Sequence, residues 1–99
     1  MPYIPKENRE HYDELIESLA KHLAEVRLRG GNSAIAGELN YIIYRLTYIL
    51  CHHSPGTSIG YAGIATILSA MNEAQSELRR RVLVPYEDNK ILQNGDVSI

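Results

Sequence analysis

Apolar positions recur every three or four residues along most of this chain, the period of an α-helix that turns one face away from water. In the first third, Tyr12, Leu15, Ile16, Leu19, Leu23 and Val26 form such a stripe, and Glu7, Glu10, Asp13, Glu14 and Glu17 form the hydrated stripe opposite it. The pattern predicts a helix over residues 6–29, preceded by an extended arm, 1–5, that Pro2 and Pro5 stiffen. Acids in its first turns and Arg27 and Arg29 in its last complement the helix dipole. Gly30-Gly31-Asn32-Ser33 supplies a stop and a cap for the next helix.

The second predicted helix, 34–53, is apolar on two sides. Ile35, Leu39, Ile42, Ile43, Leu46, Ile49 and Leu50 line one face, and Tyr41, Tyr44 and Tyr48 follow at i, i+3, i+7 on the other. A small monomer covers one such face comfortably; the second needs another element, a second copy or a ligand. His52-His53-Ser54-Pro55-Gly56 ends this helix in a turn, and Thr57 or Ser58 caps a third helix, 58–84. Its first half is rich in small residues, Gly60, Ala62, Gly63, Ala65, Thr66, Ser69 and Ala70, which admit a close neighbour. Ile64, Ile67, Leu68, Met71, Leu78 and Val82 make its aliphatic stripe, and Pro85 sets its expected end at Val84.

A helix of that length spans roughly 40 Å at 1.5 Å per residue, against a radius of gyration near 13 Å for a domain of this size. Its overhang suits a partner. A short fourth helix, 86–93, stops at Asn94-Gly95, and 94–99 forms a tail. The expected fold is all-α: one domain, 1–99, built as a three-helix antiparallel bundle with a short C-terminal helix and completed by oligomerisation. Tyr41, Tyr44, Tyr48, Gly60 and Gly63 are the candidate interface residues, and the expected partner is a second copy, as a dimer or higher homo-oligomer.

Composition narrows the function classes. Ten basic against twelve acidic residues leave a formal charge of −2, which gives no electrostatic pull toward nucleic acid or an anionic membrane. The single cysteine, Cys51, makes no internal disulfide, which points to a reducing cytoplasm. No basic segment followed by an apolar one opens the chain, so no secretory signal is expected, and the apolar stretch from Ile42 to Cys51 is too short for a membrane span. Seven tyrosines with no phenylalanine or tryptophan favour aromatic surfaces that stay partly wet.

Three constellations carry candidate chemistry. Glu14 and Glu17, with Glu73 and Glu77 facing them across a subunit boundary, would suit a magnesium-dependent, all-α nucleotide pyrophosphohydrolase-like enzyme, although helix two offers only Glu38 toward such a set. Arg79-Arg80-Arg81 offers planar donors for a phosphate, as in a nucleic-acid binder, yet dipole complementation and pairing with nearby acids account for the run equally well. His11 with Glu14 and His22 with Glu25 have ligand spacing but lie about 16 Å apart along the helix, too far to share an ion. No nucleophile elbow and no phosphate-binding glycine loop occurs. No cofactor and no resident metal is expected, and the composition favours a structural or protein–protein interaction module over an enzyme.

Pro2-Tyr3-Ile4-Pro5-Lys6-Glu7-Asn8-Arg9, Gly37-Glu38-Leu39-Asn40-Tyr41, and Arg80-Arg81 followed by Pro85-Tyr86-Glu87-Asp88-Asn89-Lys90-Ile91 and Asn94-Gly95-Asp96-Val97 give the chain a wider likeness. These segments resemble a family of small prokaryotic and phage-associated helical proteins of unknown function. The resemblance implies a single helical domain and carries no activity across. Residue types at the two ends also suggest a clasp in which Tyr3 and Ile4 pair with Tyr86 and Ile91.

Overall fold

The computed structural model describes residues 2–52 and 59–98, and all of its regular structure there is helical. In order these are α1 (Lys6–Arg9), α2 (Asp13–His52), α3 (Gly60–Leu78), a π-helical turn (Arg79–Leu83) and α4 (Val84–Asn94). His53, the Pro55-Gly56 turn, the Thr57 or Ser58 cap and the end of the tail at Ile99 lie outside the described residues. Two compact units share the chain, Ile4–Ile64 and Met1–Tyr3 with Ala65–Ile99.

In the unit Ile4–Ile64, the expected first helix is divided. α1 is one turn long, begun by Asn8 N–H donating to the Pro5 carbonyl at 2.9 Å, and a turn through residues 10–12 separates it from α2. The arm bends back here, because the Arg9 guanidinium Nε donates to the Ile4 carbonyl at 2.8 Å. The predicted stop at Gly30-Gly31-Asn32-Ser33 corresponds to a bend inside α2. Gly31 adopts φ 75° and ψ −168°, a conformation that only glycine visits without steric cost, while the residues on either side are helical. Arg27 Nε donates to Asn32 Oδ1 at 3.0 Å and ties the two arms across the bend. Leu23 and Val26 before it, and Ala34 and Ile35 after it, are half-buried.

In the unit Met1–Tyr3 with Ala65–Ile99, helix runs without a break past the expected stop at Val84. Pro85 lies in the first turn of α4 instead of ending α3. In a straight α-helix its ring would press on the carbonyl four residues earlier, and the N–H it lacks would leave that carbonyl unpaired. The turn ahead of it widens: Val84 N–H donates to the Arg79 carbonyl, five residues back. The proline thus enters where the ladder has already shifted register. α4 ends where Asn94-Gly95 predicts an end, with Gly95 at φ 82° and its N–H on the Ile91 carbonyl at 2.8 Å.

The N-terminal arm reaches this unit through Tyr3, but its partner is not Tyr86. Arg81 Nη1 donates to the Tyr3 hydroxyl at 2.7 Å, and the guanidinium carbon lies 5.8 Å from the centre of the ring. Pro2 and Tyr3 line a pocket together with Ala74, Glu77, Leu78, Arg81 and Val82, and Tyr86 is instead met by Lys90 Nζ at 5.6 Å from its ring centre. The expected Tyr3–Tyr86 pairing is therefore replaced by Tyr3–Arg81. An arginine offers both a donor for the hydroxyl and a flat cation for the ring, which a second tyrosine does not.

No described residue is buried. The described residues are all-α, as expected, and their apolar stripes stay open to solvent.

The Gly31 bend sets a stability prediction. Replacing Gly31 by alanine forces an L side chain into a region essentially restricted to glycine, at a cost on the order of 1–3 kcal/mol. Urea unfolding at one fixed protein concentration is expected to show a lower midpoint with an unchanged slope; an unaltered midpoint would show that the bend carries no conformational demand.

Candidate interface and polar clusters

The second arm of α2 carries the aromatic surface. Tyr41, Tyr44 and Tyr48 are 62%, 65% and 52% exposed. Four-residue spacing brings side chains one above another on a helix, and here it builds a ladder of rings. Tyr44 and Tyr48 stack with centroids 5.7 Å apart and planes 29° from parallel, and Tyr48 stacks on His52 at 4.2 Å and 29°. Tyr41, three residues from Tyr44, belongs to the same exposed side, but the ladder is Tyr44–Tyr48–His52.

His52 is the member that the tyrosine pattern omits, although its i+4 spacing from Tyr48 was a usable signal. Its Nδ1 lies 2.8 Å from the Tyr48 carbonyl. A carbonyl only accepts, so Nδ1 carries the proton and donates, which fixes the ring over Tyr48 and leaves Nε2 as the outer nitrogen. Thr47, on the same turn, donates to the Ile43 carbonyl at 2.7 Å. The ladder spends ring faces on neighbouring rings, a poorer platform for inserting bases than isolated rings would be.

Around the ladder the aliphatic stripe of the same arm is also open. Leu46 is 58% exposed and Leu50 50%, with Leu39, Ile43 and Ile49 only somewhat less so. Ile35, Ile42 and Cys51 are half-buried.

The small-residue start of α3 has a local use. Gly60 begins the helix with φ 68°. At Gly63 the space that a Cβ would fill is taken by the side chain of Ile59, one turn earlier. The bare surface of Gly63 is thus covered within its own chain.

The candidate ion-binding residues are distributed over different elements. Glu14 and Glu17 lie exposed near the start of α2, and Glu73 and Glu77 lie on α3. Among the described residues no group of three or more histidine, cysteine, aspartate or glutamate side chains could hold a metal ion. Glu77 is partnered: Arg80 Nε donates to its Oε1 at 2.7 Å, its side chain is 18% exposed, and Arg80 is 70% exposed.

The three arginines diverge. Arg80 turns back to Glu77, Arg81 turns to Tyr3, and Arg79 lines a groove of about 330 Å³ with Gln75, Leu78, Val82, Leu83 and Tyr86. The hydrogen bond with Tyr3 raises the Arg81 guanidinium above its ordinary value, so it stays cationic at any accessible pH. Tyr3 and Glu77 are the residues that sequence reasoning did not connect to this run: the Tyr3 contact depends on where the N-terminal arm lands, whereas Glu77 stands three residues before Arg80, a helical spacing that was a usable signal.

A family model described as a domain of unknown function (DUF6899) matches residues 1–97. The chain belongs to that family. No curated protein and no solved structure matches the chain. Membership agrees with the resemblance carried by the end segments and brings no activity with it. No helix among the described residues is long and apolar enough to cross a membrane.

The ladder predicts energetic coupling. In a double-mutant cycle with Tyr44→Leu and Tyr48→Leu, the pair is expected to show about 0.5–1 kcal/mol of interaction beyond the sum of the single changes. Thermal unfolding of the four proteins measures it; strict additivity would mean that the rings merely lie side by side.

Proposed function

We propose that this chain is a small structural or protein–protein interaction module that works as a homo-oligomer, with the Tyr41, Tyr44 and Tyr48 side of α2 as its self-contact and the helical bundle completed by the second copy. The observation that supports this most is the exposure of both sides of one helical arm, where open tyrosines and open leucines and isoleucines share the same twenty residues. Covering a large apolar side chain contributes about 1.5–3 kcal/mol, and a 99-residue chain has little stability to spare without that cover.

A second copy is the occupant we infer because the surface suits a two-fold contact. The rings and the aliphatic residues lie along one helical arm, so two such arms side by side can place like against like, as a two-fold interface requires. Tyrosine, apolar in its ring and polar at its tip, fits the partly wet rim of such a contact. A formal charge of −2 raises little repulsion between copies. Gly63 already receives Ile59, so the tyrosine side carries the proposal further than the small-residue side. The half-buried single thiol of Cys51 suits a reducing compartment, the cytoplasm.

Light scattering across a hundredfold dilution, on the wild type and on Tyr44→Glu, tests the assignment. The expected result is a wild-type oligomer and a folded Tyr44→Glu monomer, because a carboxylate at the contact must be desolvated without a partner. A wild-type monomer at every concentration, or an oligomer indifferent to Tyr44→Glu, would overturn it.

A further inference from the structure

Beyond the Gly31 bend, the second arm of α2 carries a seven-residue repeat of which the tyrosines are only the middle. Ala34, Gly37, Tyr41, Tyr44, Tyr48 and Cys51 follow one another at alternating intervals of three and four residues, the a and d positions of a paired helix. The three large rings are exposed, and a Cβ added at Gly37 would meet nothing within 4 Å, so bulk and open space alternate along one seam. The two flanks of that seam differ in charge. On one flank the e positions are Glu38 and Arg45, followed by His52; on the other the g positions are the neutral Asn40 and Thr47. Glu38 and Arg45 are exposed, and among the described residues neither has an ion-pair partner. Seven residues of rise, about 10 Å, keep them from pairing with each other along their own helix.

Given the self-contact on the tyrosine side proposed above, on which this step rests, we propose that two copies pair through these arms antiparallel, with Glu38 of each copy joined to the partner's Arg45. In a parallel pair the e flank of one helix meets the g flank of the other, and neutral Asn40 and Thr47 would leave both charges unmatched. Reversing one helix brings e beside e. The opposite signs of Glu38 and Arg45 then match twice, once on each side of the two-fold axis. The same register sets Tyr41 against the partner's Tyr44, Tyr48 over the open surface of the partner's Gly37, and Ala34 against the partner's Cys51. Rings meet rings at the centre and large residues meet small ones beside it. Exposed ion pairs add little affinity, but like charges in their place repel, so the rings supply the contact and the charges choose its direction.

Dimer dissociation constants of the full chain at low ionic strength test this, for the wild type, Glu38→Arg, Arg45→Glu and the double variant that exchanges the two charges. Each single variant sets like charges together at both crossings and is expected to pair about tenfold more weakly. The double variant restores opposite signs and is expected to return to within about threefold of the wild type. At about 1 M salt, where charges are screened within roughly 3 Å, the four proteins should converge. Gly37→Leu checks the register without touching a charge: it raises helix content, read by circular dichroism, yet fills the space of the partner's Tyr48 and should weaken pairing. Single variants that pair as tightly as the wild type, a double variant no tighter than the singles, or a Gly37→Leu chain that pairs undiminished would overturn the antiparallel arrangement. If Tyr44→Glu still separated the copies in that case, the self-contact itself would stand. A wild type that is monomeric at every concentration would overturn both.

Discussion

A helix cannot bury its own apolar stripe. Backbone hydrogen bonds close within each turn, but the side chains point outward, and their removal from water needs a second surface. Every other feature of this chain depends on that constraint, because its helices are well specified and yet no described residue is buried. The second arm of α2 shows it most plainly. Its rings stack on one another and its Thr47 hydroxyl bonds back to the helix, while leucine and isoleucine stay open. What remains uncovered on this arm is largely hydrophobic.

The region around the π turn works by different means. There the contacts are specific and polar: an arginine on a tyrosine, an arginine on a glutamate, and a proline entering where the ladder has shifted. Exposed interactions of this kind contribute little stability individually, but they are directional, and the wider turn itself accommodates Pro85. The two parts of the chain thus hold different information. One calls for a covering surface; the other fixes how a helix is wound.

Residues whose meaning is local were legible in the sequence. Gly31 needed no neighbour to mark a bend, since only a residue without a Cβ adopts its backbone angles freely. The helical period needed none either, and the absence of strands among the described residues follows from it. Pro85 was misread for an instructive reason. The rule that proline ends a helix assumes an α ladder ahead of it, and a single wider turn removes the clash on which that rule rests. Tyr3 was assigned to Tyr86 on residue type, but its position depends on where an extended arm of five residues lands, which no periodicity encodes. His52 was separable from the tyrosines only by name: it occupies the next rung of the same four-residue ladder. The acids and arginines were legible as types, but their convergence was not, because the chain spends Glu77, Arg80 and Arg81 on one another and on Tyr3.

The most direct test of the claim that a second copy covers the apolar faces is the thermal midpoint of the wild-type chain as a function of its own concentration. Folding coupled to pairing obeys mass action, so a hundredfold increase in concentration is worth roughly 2.7 kcal/mol, which for about 200 residues unfolding together raises the midpoint by on the order of 5–10 °C. The account predicts that rise. A midpoint that stays constant over the same range would contradict it, and would mean that the chain covers these faces by itself.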